Sequence, residues 1–510
     1  MSKKSLIKST GVIGFATATS RILGFVRDIV IAKFFGTAIF AQAFVIAFRI
    51  PNLLRDLVGE GATNSAFVPV LTDELTKKGK KDFFHLAQII LNIMFWVLLA
   101  LTLLGVLLSP LIVRLIAPGF SADPEKFNVT VKLTRILFPF LFLVGLWAYA
   151  MGILNSLRSF AAPAFGPSIM NLSMILCAVW FGENIFGLAT GVLAGGFLQL
   201  AIQFPPLYAN GWRPRLTTEF KHPQAKRVGL LLVPRALGAC VYQVNVFIST
   251  ILASLSAIVG DGAVAALYYA NRIWQLPLAI FGIALAQALL PMMSRHVALD
   301  EKDKLKEALL FSLNILFFIL IPSTIGLIVL RVPIIKVLFE RGAFTSYSTD
   351  ITSVALLFYA VGLVACGGIK VLVNTFYSMH DTMTPVKTAL GSLVLNVVLS
   401  AALMFPMKLG GLALASSASA VFNFFALYVL LEKRIGDFGT KSIIDSFFKV
   451  TLASIVMAIA LQFLAMRIMN FTFISLIGSI VLGIAVFLFS SYVFNVKELK
   501  DLLAWISRKK

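Results

Sequence analysis

The chemistry-bearing residues of this chain are arginines in places where arginine is costly. Arg21, Arg27, Asp28 and Lys33 fall inside one long apolar stretch, and Arg49, Arg55, Asp56 and Glu60 inside the next. Arg235 and Arg272 each stand in a later apolar stretch of their own. That makes seven basic groups against three acidic ones, a surplus of four positive charges at membrane depth. An arginine facing lipid costs about 2.5–3.5 kcal/mol, so these groups are expected to face a watered cavity or one another. Arg21 and Asp28 are seven residues apart, nearly one azimuth on a helix, and Arg49 and Asp56 repeat the relation. Arg272 has no acid in its own stretch, so its counter-ion comes from another helix or from a ligand. A phosphate or diphosphate headgroup fits such a cluster, because a guanidinium pairs two oxygens at once and stays charged at any working pH. Arg235 and Arg55 lie near enough to a surface to snorkel instead, and Arg27 can pair locally with Asp28.

No other chemistry is comparably marked. His85, His222, His296 and His380 are scattered among polar connectors, without the i, i+4 spacing of a metal helix. Cys177, Cys240 and Cys366 lie in apolar segments, lack CxxC spacing and read as small packing residues. No metal site and no cofactor are expected. Pro51 with Gly59 and Gly61 is expected to interrupt the second stretch, and Pro277 to break the helix carrying Arg272. Gln243, Asn245, Asn374 and Asn396 read first as interhelical hydrogen-bonding groups and second as a cation path.

The elements that must position these residues are membrane helices. The chain has 510 residues, 59% hydrophobic and 13% charged, with mean hydropathy +0.93. A soluble chain carries about twice that share of charge. Fourteen apolar stretches of spanning length can be drawn, at about 10–35, 39–71, 86–116, 128–155, 161–181, 184–211, 228–258, 262–294, 306–331, 350–377, 385–405, 409–431, 447–466 and 470–495. The even number puts both termini on one side. Connectors on that side, with the two ends, hold about 27 Lys or Arg, against about six on the other, which makes them cytoplasmic. The net charge of +21 is thus mainly an orientation signal and an attraction to anionic membrane lipids, not a nucleic-acid footprint. The first residues lack a cleavage pattern and read as the start of a membrane helix. The ending VKELKDLLAWISRKK reads as a basic amphipathic segment on the inner leaflet.

A repeat organises the spans. Arg21, Leu23 and Gly24 answer Arg235, Leu237 and Gly238, while Ala47, Arg49 and Ile50 answer Ala270, Arg272 and Ile273. Ala66 and Pro69 match Ala288 and Pro291, Gly119 matches Gly342, and Ser156 and Pro163 match Ser378 and Pro385. The first trio is offset by 214 and the rest by 222 or 223, so the unit is six spans and the copies run parallel. The expected fold is an all-α polytopic membrane protein with 14 transmembrane helices: a six-helix lobe over 1–222, a second over 223–445, and a C-terminal helix pair with the basic tail over 446–510.

SRILGFVRD (20–28) and FRIPNLLRDLVGEGATNSAFVPVL (48–71) resemble the opening of the MurJ (MviN) lipid II flippases, of the multidrug/oligosaccharidyl-lipid/polysaccharide exporter superfamily. The likeness runs on through APGF (117–120), ILNSLRSFAAPAFGPSIMN (153–171), YYANRIWQLP (268–277), ALLP (288–291), FERGAF (339–344) and FYSMHDTMTPVK (376–387). The resemblance implies transport of lipid II, the undecaprenyl-diphosphate-linked peptidoglycan precursor, from the inner to the outer leaflet of the bacterial inner membrane. It implies no catalysis, and partners limited to lipid II, membrane lipids and the cell-wall synthesis machinery. Arg21, Arg27, Arg55 and Arg272 then match the family's cavity arginines, with Arg49 beside them, and Glu60 its helix glutamate. Asp28, Glu60, Gln42, Pro51 and Gln275 take supporting or gating positions, and the resemblance implies that spans 13 and 14 form a groove for the prenyl tail. The chain departs from the pattern at Gln42 and Gln275, where many members carry acids, which leaves the cavity more positive. Alternating access is the expected mechanism, biased by the membrane potential, with Na⁺ or H⁺ coupling left open. The rival readings are a flippase for another prenyl-diphosphate glycan, such as an O-antigen unit, and a polytopic prenyl-lipid glycosyltransferase. The second is disfavoured by outer loops too short to carry catalytic carboxylates.

Overall fold

The structure, a computed structural model, describes residues 3–55, 67–215, 217, 219–468 and 471–501 and, within these, side chains other than those of 3–10, 54, 55, 232–242 and 467. The described residues form helices joined by short connectors, with no strand among them. Ten of these helices are long and apolar enough to cross a membrane, and an eleventh span results if one bent pair is counted together. Large apolar side chains lie open on their outer faces, among them Trp180 at 86% and Ile474 at 82% exposure. In water such faces would be interaction sites or aggregation liabilities; in a bilayer they are the ordinary lipid-facing surface.

Contacts divide the chain into two compact units, Met1–Leu255 with Arg341–Phe344, and Ser256–Glu340 with Thr345–Lys510. The first contains α1 (Lys3–Phe35), α2 (Ile39–Arg55), α3 (Val68–Lys78), α4 (Lys80–Leu107), α5 (Ser109–Ile116), α6 (Pro124–Leu137), α7 (Pro139–Ser156), α8 (Ala161–Phe181), α9 (Ile185–Ala201), α10 (Phe204–Ala209) and α11 (Pro223–Ala253). Proline marks several breaks inside what the sequence draws as single spans. Pro110, Pro139 and Pro205 occupy the first turns of α5, α7 and α10, where a missing N–H costs nothing. Asp123 caps α6 by accepting from the N–H groups of Glu125 and Lys126, both at 3.1 Å. Helices α8 and α9 approach closely along small residues. A Cβ on Gly191 would lie 2.8 Å from Cys177 Cβ, and one on Gly195 3.0 Å from Met170 Cα.

The second unit contains α12 (Ser256–Val259), α13 (Ala263–Pro277), α14 (Ala284–Ala298), α15 (Lys302–Val329), α16 (Arg331–Phe339), α17 (Ser346–Val361), α18 (Leu363–Ser378), α19 (Met383–Met407), α20 (Leu409–Ile435), α21 (Thr440–Arg467) and α22 (Phe473–Val493). Helices α17 and α18 are the bent pair, at 42°. The helix carrying Arg272 does not end at Pro277 as a full break would. It continues through a π-helical stretch, Leu278–Ile283, into α14. Pro277 has no N–H to offer the carbonyl one turn back, and a wider turn is one way for the chain to absorb that loss. Just beyond it Asn374 of α18 donates to the Ala286 carbonyl at 2.7 Å, the interhelical use expected of that asparagine.

On the face expected to be cytoplasmic, Asp381 ties two helices. Its carboxylate accepts from the Met383 and Thr384 N–H groups at 3.1 and 3.0 Å, capping α19, and pairs with Arg434 at the end of α20. The Thr384 N–H foremost, then the Thr384 hydroxyl and Arg434, hold its carboxyl below the usual carboxylate range. A lowered folded-state pKa gives a contribution that is complete above the ordinary carboxylate pKa of about 4 and lost as pH falls through the lower folded value. Asp381→Ala is therefore expected to cost about 0.5–2 kcal/mol, as a lost cap does, at neutral pH. Thermal melts in detergent should show that gap closing below about pH 4.

Candidate functional site

The site arginines divide unequally, with Arg272 in the second unit and the others in the first. In the first, Arg21 lies on α1 and is exposed. Its guanidinium makes no hydrogen bond or ion pair with the described residues, and it sits fourteen residues from Phe35, about 21 Å along the helix axis. Arg27, six residues on, is 7% exposed. Its Nε and Nη2 donate to Asp28 Oδ1 at 3.1 and 2.7 Å, and its Nη1 to Asn171 Oδ1 of α8 at 2.9 Å. Asn171 Nδ2 in turn donates to the Ser20 carbonyl at 3.1 Å, beside Arg21. Asp28, 2% exposed, is thus engaged by its immediate neighbour Arg27, the local pairing open to it in sequence. The group fixes the azimuth and height of α1 against α8.

Arg49 of α2 is half-buried and donates from Nη1 to the Val246 carbonyl of α11 at 3.4 Å. Pro51, buried, lies within α2, which runs on to Arg55, so the proline does not interrupt it. The side chain of Arg55, and Asp56, Gly59, Gly61 and Glu60 entirely, lie outside the described residues, as does the side chain of Arg235. Gln42, 3% exposed, donates to the Thr37 carbonyl at 3.2 Å and accepts from Lys126 Nζ at 3.1 Å. Lys126 is itself 3% exposed and its ammonium lies 4.3 Å from the centre of the Phe120 ring. Nothing in FSADPEKF marks Lys126 as buried, since an outer connector with three charges reads as a solvated face.

In the second unit Arg272 is half-buried on α13, nine residues from Ala263 and about 14 Å along the axis. Its repeat mate Arg49, ten residues into α2, lies at a similar depth of about 15 Å. Tyr268, one turn earlier, accepts from Arg272 Nη2 at 3.1 Å, and the guanidinium carbon lies 4.9 Å from that ring's centre. The tyrosine fixes the guanidinium's direction without neutralising it. Gln275 donates to Asn271 Oδ1 at 3.2 Å, an in-helix bond. Along α21 and α22 an apolar cavity of about 450 Å³ is lined by Val456, Ala485, Val486, Phe489, Val493 and Phe494, with Ser490 its polar member. No group of three His, Cys, Asp or Glu side chains that could hold a metal occurs among the described residues.

A family model described as "Lipid II flippase MurJ" matches residues 31–482. A probable lipid II flippase MurJ of Buchnera aphidicola subsp. Acyrthosiphon pisum is 33% identical over 500 residues, covering 97% of this chain and 96% of that protein. Another, of Rhizobium meliloti, is 37% identical over 474 residues, covering 90% and 86%. Among solved structures, one described as lipid II flippase MurJ in an inward closed conformation is 28% identical, with TM-score 0.81 over 96% of this chain and 99% of that one. An inward-facing multidrug resistance MATE family transporter of the MOP superfamily is 15% identical, with TM-score 0.66 over 83% and 95%, a likeness of fold alone.

Proposed function

We infer, from the premise that this chain belongs to the lipid II flippase MurJ family, that it moves lipid II from the inner to the outer leaflet of the bacterial inner membrane. The observation that carries this reading is agreement over nearly the whole length of this chain with relatives and a solved structure that bear that description. The finer architecture proposed is fourteen transmembrane helices, as two parallel six-helix lobes over 1–222 and 223–445 and a C-terminal pair from 446. Both termini are cytoplasmic, as the bias of positive charge among the connectors requires.

In the proposed cycle the diphosphate is drawn to Arg21, Arg55 and Arg272 while the sugar-peptide head stays in water. Exposure and want of a partner among the described residues support that role for Arg21, as does Tyr268's hold on Arg272. Arg27, with its donors on Asp28 and Asn171, holds α1 in place beneath that surface, and Arg49 braces α2 against α11. The apolar cavity along α21 and α22 suits the prenyl tail. Anion binding relieves repulsion among the arginines and so favours the state in which they converge. Loaded and empty forms differ in charge, so the membrane potential biases the return by about 2.3 kcal/mol per charge per 100 mV. Coupling to Na⁺ or H⁺ is decided by assay with each gradient collapsed in turn.

Depleting a host's own lipid II flippase should trap lipid II in the inner leaflet, and expression of this chain should release it and restore growth. Failure there, with rescue of an O-antigen flippase defect, would transfer the assignment to that substrate.

A further inference from the structure

Two glycine-tipped loops in the first unit make contacts that are images of each other under the sequence repeat. Gly119, in the 3₁₀ turn Pro118–Ala122, donates its N–H to Ser254 Oγ at 3.2 Å, where α11 ends. A Cβ there would lie 2.1 Å from the Ser254 carbonyl oxygen and 2.8 Å from Leu255 Cα. Gly342 belongs to Arg341–Phe344, the four residues that leave the second unit's stretch of chain and pack with the first. Its neighbour Ala343 donates to the Lys33 carbonyl at 2.8 Å, in the last turn of α1. A Cβ on Gly342, whose φ is +59°, would lie 2.3 Å from that same oxygen, and one on Gly36, φ +53°, 2.2 Å from the Ala343 carbonyl oxygen.

Gly119 and Gly342 are repeat mates, and so are the helices that begin with the two halves, α1 and α11. The loop after the third span of each half therefore rests on the outer end of the first helix of the other half. Packing chance does not repeat itself with the partners exchanged. Backbone oxygens lie where any side chain would go, so only glycine lets the loop and the helix end meet this closely. The hydrogen bond named at each contact is worth about 0.5–1.5 kcal/mol net, enough to favour a state without making it permanent. Both lie on the side poor in positive charge, the outer face under the orientation above.

We propose that Gly119 and Gly342 are reciprocal outer-gate residues, whose two docking contacts hold the outer ends of α11 and α1 and must both part before substrate can leave toward the outer leaflet. The proposal rests on alternating access, and its first test is independent of substrate. Spin labels at Glu125→Cys and Ala257→Cys, with Cys177, Cys240 and Cys366 replaced by serine, report the outer-face distance of the full chain in nanodiscs. Gly119→Ala and Gly342→Ala should each add a longer-distance population to the unsubstituted distribution. Folded variants with an unchanged distribution would overturn the proposal. Should either variant fail to fold, Lys33→Cys with Ala343→Cys, bridged by a cleavable bis-maleimide, decides instead. Lipid II translocation should fall to background when bridged and return on reductive cleavage, and translocation undiminished while bridged sinks the gate. If the unbridged protein does not translocate lipid II at all, the function above fails, while the distance test still judges the gate.

Discussion

Arg272→Ala should weaken capture of the diphosphate about 10- to 150-fold, the loss of one charge-assisted contact worth about 1.5–3 kcal/mol. Two features make this the most sensitive single position. It stands about 14 Å along its helix, where water competes poorly, and no acid on α13 shares its charge. Arg272→Lys keeps the charge but not the planar fork, so it should recover only part of the loss. Tyr268→Phe removes the 3.1 Å hydrogen bond but keeps the ring against the guanidinium, and should cost several-fold less than the alanine. Binding of a soluble prenyl-diphosphate analogue and translocation in proteoliposomes are the two readouts, at matched insertion. Full translocation by Arg272→Ala would remove the arginine from the site.

The second large effect concerns stability. Asp28→Ala should lower unfolding free energy by about 3–5 kcal/mol, because it removes the carboxylate that two nitrogens of a guanidinium only 7% exposed donate to. Removing the charge together with its partner, as Arg27→Met with Asp28→Ala, should restore much of that, since an apolar pair needs no counter-ion. Asn171→Ala should fall between, as it takes away one of the guanidinium's contacts and the link to the Ser20 carbonyl. Thermal unfolding in detergent of the parent, Asp28→Ala, Arg27→Met and the double variant forms a double-mutant cycle. Equal melting temperatures for Asp28→Ala and the double variant would mean that Asp28 is not what balances the Arg27 charge.

Hydropathy made the span at 161–181 legible to the residue, because Ala161–Phe181 is bounded by a polar connector on one side and glycine on the other. It missed the divisions at Leu108 and Phe138, since a helix that restarts on a proline remains apolar throughout. The 42° bend between Val361 and Leu363 is likewise silent in composition. Pro51 shows the opposite error. The residue type that breaks soluble helices is carried within α2, where neighbouring helices can compensate for one lost bond. At the site, charge count and depth identified the arginines, but not their different employments. Whether an arginine is exposed, like Arg21, or occupied, like Arg27, depends on which face α8 presents, and Asn171 is an unremarkable amide until that face is known. Lys126 was illegible for a related reason: it packs against Gln42, distant in sequence, and against Phe120, six residues earlier in the preceding 3₁₀ turn.

The excursion of Arg341–Phe344 into the first unit also sets a timetable for biosynthesis. The rest of that unit is encoded by residue 255, yet its outer helix end at Lys33 is completed only by residues 341–344. At about 5–20 residues per second the ribosome needs about 4–17 s to cover the intervening stretch. During that interval α1 and its arginines sit in the membrane with one end unsecured. The fold of the first unit therefore closes late, when about a third of the second has already been made.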